Sequence, residues 1–516
     1  MAALVSTLAA MQWTTLVLLL GAVLLATALS VAVYRLFLHP LASVPGPPLA
    51  AVTRLYAFYF NIVKKGTFYL EIERLHEIYG PVVRIAPNEI HLSDPDNYDK
   101  IYAVGSKLYK DPVFYGVLDP SELPAMFATT SNEIHRRRRA PLEPFFSRRN
   151  VLTLEDVIQN KVERLCGLVE NSVSRGEGVD LWAAFRAVSV DVITEYAFDD
   201  CWGQLEREDL GDWFSVVMVN SGIAMWFLQQ WPFLLTLMDK MPQGLVKKMD
   251  PGMGDMLALQ ERTRKLVENV ERDIKAGRKP RQRTIFHDLL DPEVAALNQR
   301  QVSIEEMAAE AYAMCAAAAE TTGNAMTAAT YHVVTNPKIY SKLREELLAM
   351  PVAFGDKLSY AELEKRSYLT GVVKEGLRLS YGVIGRLPRV LPQGGGIYNG
   401  YHLPEGTVVG MSSYMQHRNP SAFPNPNVFD PERWINIPPA AVAAQNKCLV
   451  PFSKGSRGCI GQNLAMCEMY VTLGTLFHRF GDLTAEDVGE LVYMDYFNAF
   501  NPTDQNLRVF RKREKA

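Results

Sequence analysis

One stretch of ten residues, Phe452-Ser453-Lys454-Gly455-Ser456-Arg457-Gly458-Cys459-Ile460-Gly461, holds the chemistry from which the rest can be read. A free cysteine has a pKa of about 8.5, so a cysteine that is to ligate a metal as thiolate needs help from its surroundings. Gly455 and Gly461 allow tight, left-handed or closely packed backbone, which lets peptide N–H groups point at the sulfur of Cys459. A helix starting just past the cysteine, through Leu464, Met469 and Leu473, turns its positive N-terminal end toward the same atom. Phe452 adds an apolar ring that shields the sulfur from water. The plain alternative is a glycine-rich turn with an incidental cysteine.

Two further constellations stand apart from this loop. Ala317-Ala318-Ala319-Glu320-Thr321-Thr322 ends an alanine-rich apolar run. A carboxylate beside a hydroxyl on one helix makes a proton relay: the acid collects a proton from solvent and the hydroxyl delivers it. Thr321 can also bond back to a carbonyl one turn earlier and open the helix locally. Glu375 and Arg378, three apart, share a helix face. Alone, such a pair is ordinary on an exposed helix and contributes little.

The elements that must position these groups are mainly helical. Apolar residues recur at helical spacing over 152–175, 182–198, 256–276, 303–335, 337–349, 360–380 and 462–480. Strand signals cluster at 81–93 and 386–411, where Gly394-Gly395-Gly396 and Asn399-Gly400 punctuate short hairpins. The fold class expected is mainly α with a small β part. Residues 51–516 show no repeat and no low-complexity linker, so one catalytic domain is expected there despite its length.

The first charged residue is Arg35, and Trp13 to Leu38 is almost unbroken in apolar character. About 20 such residues span a bilayer core, so 1–39 is expected to be a transmembrane anchor. A cleaved signal peptide would want a basic start and a shorter apolar core. Basic residues follow the span (Arg35, Arg54, Lys64, Lys65), which puts the domain on the cytosolic side. Val44-Pro45-Gly46-Pro47-Pro48 makes 40–50 a stiff, proline-rich hinge. With a net charge of −3, nucleic acid is not expected as a partner. Six cysteines, at 166, 201, 315, 448, 459 and 467, are too sparse for a disulfide framework.

Phe452, Gly455, Arg457, Cys459 and Gly461 match every fixed position of FxxGxRxCxG, the haem-binding signature of the cytochrome P450 family. The chain resembles that family from the proline segment to the C-terminus, with its motifs in the family's order. It most resembles microsomal class II members, especially fungal ones of secondary metabolism.

The resemblance implies a single large cytochrome P450-type domain behind the anchor. It makes Cys459 the axial ligand of a haem b iron, with Phe452, Arg457 and Gly461 around it. His135 and Arg139, in the run that precedes Pro144-Phe145-Phe146-Ser147, fall where the family contacts a haem propionate, and Arg389 is a second propionate candidate. Arg137 and Arg138 would form a basic patch for an acidic electron donor. Glu320 and Thr321 fall on the acid–threonine pair of the oxygen helix. Ala318 stands where the family has glycine, so the groove is a methyl narrower or the helix less kinked. Glu375, Arg378 and Arg433, the last in Phe429-Asp430-Pro431-Glu432-Arg433-Trp434, would form a buried network that retains haem. His417 resembles a position near the haem edge, or is a satisfied structural histidine. The apolar segment 202–250, with Trp213, Trp226, Phe227, Trp231 and Phe233, would roof the substrate pocket or be plain core.

The implied activity is insertion of one atom of O2 into a lipophilic small molecule, such as a terpenoid or polyketide, at the endoplasmic reticulum membrane. Electrons would come from NADPH through a separate NADPH-cytochrome P450 reductase, with cytochrome b5 as a further donor. A haem-thiolate isomerase or dehydratase, acting without reductase, is the alternative, though such members usually lack the acid–threonine pair. A non-catalytic haem carrier would need neither the oxygen helix nor a roof.

Overall fold

The computed structural model describes residues 2–511 other than 120–122, 242, 250, 298–302, 353–354, 486–488 and 503–506. The N-terminal helix α1 (Ala2–Val33) carries no charge. Over Thr15–Leu38 its mean hydropathy is 2.7 and none of it is buried, which is long and apolar enough to cross a membrane. The segment after it does not swing free. Arg84 Nη1 donates to the carbonyls of Arg35 (2.8 Å) and Leu41 (3.3 Å), and the Arg84 amide donates to Pro45 (2.7 Å). A Cβ at Gly46 would lie 2.4 Å from the Arg84 carbonyl oxygen, so only glycine lets the strand approach this closely.

Seven further helices carry the argument: α2 (Asn132–Arg139), α3 (Leu181–Phe198), α4 (Asp212–Gln230), α5 (Pro251–Lys275), α6 (Ile304–Val334), α7 (Ser367–Ser380) and α8 (Gln462–Arg479). Helix α6 is the axle, packed on α3, α5, α7 and α8. Its alanines allow this crowding: a Cβ at Gly376 of α7 would come within 2.9 Å of the Ala329 methyl. Side chains such as Leu369, Leu473 and Phe477 are completely buried between these helices. Each contributes about 1.5–3 kcal/mol by leaving water. The expected helix over 360–380 is two, Tyr360–Leu363 and Ser367–Ser380. The Glu346 carboxylate accepts from the amides of Tyr368 (2.8 Å) and Leu369 (2.9 Å), and so supplies a start for α7 that the periodicity hides.

A five-stranded sheet flanks the helices: β1 (Val82–Ala86), β2 (Glu89–Leu92), β3 (Tyr109–Lys110), β4 (Arg389–Val390) and β5 (Val408–Gly410), in the order β1-β2-β5-β4-β3. Only β2 and β5 pair in parallel, with Glu89 opposite Val408. A hairpin of β6 (Met494–Tyr496) and β7 (Asn498–Phe500), outside the expected strand regions, pairs Asp495 with Ala499. Asn324 of α6 donates to the carbonyls of Ser380 (3.2 Å) and Ala499 (3.1 Å), tying this hairpin to the centre of the molecule.

Candidate active site

The Cys459 loop is built as its glycines suggest, with one difference. Gly455 has φ +71°, and a Cβ there would fall 2.2 Å from the Tyr102 carbonyl oxygen. Gly461 has an ordinary φ of −82° and serves as the N-cap of α8. Its part is its amide, which is directed at the Cys459 sulfur. The Cys459 amide donates to the Phe452 carbonyl at 2.8 Å and closes the loop. The Phe452 ring is partly buried and packs against the main core.

Cys459 is exposed by surface area, yet lies deep within the protein, so its free surface opens on the interior. Burial pushes its thiol pKa up, while the Gly461 amide and the Arg139 charge pull it down; burial wins. The polypeptide alone therefore holds a protonated thiol at neutral pH. A metal cation at the sulfur would reverse that balance.

Beside the cysteine is a nest of cations. Arg457 donates to the carbonyls of Thr129 (2.6 Å) and Thr130 (2.9 Å) and to Asn132 Oδ1 (2.9 Å). Arg389 donates to the Tyr115 hydroxyl at 3.0 Å. Neither forms an ion pair with a carboxylate among the described residues. Burial and the neighbouring Arg389 push the Arg457 pKa down to about 10. Lys110, absent from the sequence reading, completes the nest. It is buried between the rings of Tyr115 (4.1 Å) and Phe127 (3.8 Å), and burial together with Arg389 and Arg457 holds its amine well below its usual range. His135 is buried among the same charges, and its pKa falls to about 3, so it is neutral. Such a crowd of like charge is costly unless anions complete it.

Other members of the basic run are already engaged. Arg139 donates to Glu143 Oε1 (2.7 Å) and to the Gly458 carbonyl (2.7 Å), bracing the ligand loop. The expected surface role of Arg138 is corrected: it is buried and paired with Glu306 at 2.9 Å, next to Glu310 at 3.7 Å. Arg136 and Arg137 are the exposed ones.

Helix α6 presents Ala317 and half-exposed Thr321 on one strip, while Ala319 and Glu320 are buried. The Thr321 hydroxyl donates to the Ala317 carbonyl at 2.9 Å, as expected for a β-branched residue. The helix is not opened by it, running as unbroken α-helix from Ile304 to Val334. Glu320 points off this strip: Oε2 accepts from Arg186 Nε (2.7 Å) and Oε1 from the Ser215 hydroxyl (2.8 Å). Sequence reading found neither partner, because both come from other helices without a motif.

The Glu375 network is present and buried. Arg378 grips Glu375 with two bonds of 2.7 Å, both side chains fully buried. Arg433 Nε lies 3.6 Å from Glu375 Oε1, and the Trp434 indole N–H donates to the same oxygen at 2.9 Å. His417 links this network to the ligand loop. Its Nδ1 donates to the Arg378 carbonyl (2.8 Å) and its Nε2 accepts from the Val450 amide (2.9 Å), the structural option for this residue.

A mainly helical fold, an interior cysteine in a tight loop, a cationic nest beside it and an acid–threonine helix define the haem-thiolate oxygenase class. Residues 45–493 match the family profile described as Cytochrome P450, and the chain belongs to that family. It is similar to a cytochrome P450 monooxygenase of Ascocoryne sarcoides, 36% identical over 90% of this chain and 92% of that one. It is also similar to a conidiogenone synthase of Penicillium rubens, 36% identical over 87% of this chain and 89% of that one. An N-acetyltryptophan 6-hydroxylase of Emericella nidulans is 35% identical over 91% and 92% respectively. The fold matches a crystal structure of a cytochrome P450 with a TM-score of 0.71, at 19% identity, over 91% of this chain and 99% of that one. The protein is thus an oxidoreductase of the cytochrome P450 monooxygenase type, resembling fungal members of secondary metabolism. Family membership brings haem iron, O2 and an electron-donating partner. The residues present fit that group: an interior thiol for the iron, and cations without carboxylate partners among the described residues for two acidic side arms.

Proposed function

We propose that this chain is a membrane-anchored haem-thiolate monooxygenase that inserts one oxygen atom of O2 into a lipophilic small molecule. Its electrons come from NADPH through a separate reductase. The observation that carries this is the buried nest of Arg457, Arg389, Lys110 and neutral His135 beside the interior thiol of Cys459, on cations that have no carboxylate partner among the described residues.

In this reading the Cys459 thiolate would hold the iron of haem b, and Arg457 and Arg389, with His135 and Lys110, would hold its two propionates. Thiolate-ligated haem supplies the binding and reductive splitting of O2. The Gly461 amide and the Arg139 charge favour the ionised sulfur, and Arg139 fixes the loop through the Gly458 carbonyl. Thr321, turned away from the Ala317 carbonyl, holds a proton at its Oγ1 for the reacting oxygen. Glu320 brings protons to that hydroxyl once it leaves Arg186 and Ser215. The ion pair keeps the carboxylate away from the reaction until then.

The helix Thr15–Leu38 would anchor the domain in the endoplasmic reticulum membrane, with 51–516 as the catalytic domain in the cytosol. Arg136 and Arg137, exposed on α2, suit an acidic donor such as the reductase or cytochrome b5. The substrate belongs to natural-product chemistry, a terpenoid or polyketide. Relatives of 36% and 35% identity carry names as different as conidiogenone synthase and N-acetyltryptophan 6-hydroxylase, so similarity does not choose among substrates.

The test is the reduced carbon monoxide difference spectrum. A band at about 450 nm, lost in Cys459→Ala, is expected. A band at about 420 nm in folded protein, unchanged by that substitution, overturns the ligand assignment. Turnover that persists without any reductase favours the isomerase alternative.

A further inference from the structure

A cavity of about 30 Å³ lies between the Leu55–Val63 segment, the β1–β2 turn and the C-terminal end of α4. A water needs about 10–15 Å³, so this space takes a hydroxyl or carbonyl group and excludes a ring or a chain. Two of its lining residues have unmet polar atoms. Asn61 is 2% exposed and its Oδ1 has no hydrogen-bond partner among the described residues. Nε2 of Gln229, also on the wall, is buried and equally without one. Each such atom costs free energy until something bonds to it.

The two orphans are an acceptor and a donor, which selects the group they would take. A carboxylate only accepts and an ammonium only donates; a hydroxyl does both. The charged lining residues ask for no counter-ion. Arg386 is held by Glu89, and Asp111 accepts from the amides of Val113 (3.2 Å) and Phe114 (3.3 Å). Only Arg54, exposed at the rim, is left as a candidate to draw an anion.

The cavity adjoins an apolar cluster. Phe114 and Trp226, which line it, stand 5.8 Å apart and belong to the apolar cluster that also holds Ala319 of α6, with Ala316 and Phe497 packed against it. That cluster runs from the cavity wall, at Phe114 and Trp226, to Ala319 on the oxygen helix.

We propose that this cavity is a recognition subsite for a hydroxyl group carried by an otherwise apolar substrate, bonded by Asn61 and Gln229. The inference rests on the monooxygenase reading and adds that the substrate reaches this chain already oxygenated. A reaction that installs a hydroxyl must therefore come before it.

The test is equilibrium dialysis of the haem-loaded, full-length protein against decan-1-ol, decane and decanoate. Decan-1-ol is expected to bind most tightly. Asn61→Leu and, separately, Gln229→Leu should weaken it roughly tenfold while leaving decane within about twofold. Equal binding of all three probes means that the cavity holds water only, and overturns the proposal. So does an advantage for the alcohol that survives both substitutions. Preference for decanoate that is lost in Arg54→Gln assigns the site to an anion instead. The carbon monoxide band is recorded on every variant. Its absence from the unaltered chain strikes the haem reading, whereas a subsite failure leaves it in place.

Discussion

Arg186 Nε sits 2.7 Å from Glu320 Oε2, and both side chains are withdrawn from solvent, at 4% and 0% exposure. The acid expected to move protons is thus locked to a cation on a neighbouring helix. Breaking one side of a buried pair costs about 3–5 kcal/mol. Glu320→Gln should therefore lower the melting temperature and cut product formation about 10²-fold, with the carbon monoxide band retained. Arg186→Leu combined with Glu320→Leu removes both charges. It should recover much of the stability but none of the turnover. Normal product formation in the double variant would sink the relay role.

Gly455→Ala should fail for a local reason. The residue stands at φ +71°, and its new methyl would sit 2.2 Å from the Tyr102 oxygen and 2.5 Å from the Ala103 carbonyl carbon. Both atoms are backbone and cannot step aside cheaply. A loss of about 2–4 kcal/mol is expected, read by urea unfolding, together with weaker haem retention.

Arg378→Lys keeps the charge but loses the fork. The guanidinium makes two bonds to Glu375 and further ones to the carbonyls of His417 (3.1 Å) and Val428 (2.9 Å), which an ammonium cannot reproduce. A drop of about 3 kcal/mol in stability is expected, with haem lost early in the unfolding curve. Full haem occupancy with unchanged unfolding would show that the network does not hold the loop.

Acid should unfold the protein through its buried histidines. His417 is fully enclosed, and burial lowers its pKa from 6.5 to about 3. Its Nε2 must stay unprotonated to accept from the Val450 amide. The unfolded chain takes up this proton below about pH 6.5 while the folded one refuses it down to about 3, so the unfolded state binds more protons in that window. The stabilisation is complete above about pH 6.5 and falls by about 1.4 kcal/mol per pH unit on acidification. His76, whose pKa burial lowers to about 4, adds to the slope until that pH. Urea unfolding between pH 7 and 5 measures the slope, which should be shallower in His417→Gln.

What the sequence could tell depended on how local the information was. The Cys459 loop and the Glu375–Arg378 pair were legible because each is encoded within a few consecutive positions. Lys110 was not: it joins Arg457 and Arg389 only after β3 and β4 pair, and nothing around it marks a site. Arg138 was misread because helical spacing tells which face a residue is on and not that Glu306 waits opposite. Thr321 was read correctly in its bond to Ala317, but that bond was given too much force, since α6 runs through it as unbroken α-helix. The β6–β7 hairpin escaped because its strands are three residues each, too short for alternation to show.

The stitching of Arg84 to the segment ahead of it sets where the chain can be shortened. The guanidinium is buried, and two of its acceptors are the carbonyls of Arg35 and Leu41. Removing everything before Tyr34 leaves both in place. Cutting at Pro45 strips them away and strands a buried cation against β1. A water-soluble version trimmed at the first point should fold and crystallise; one trimmed at the prolines, where the sequence most invites the scissors, should aggregate.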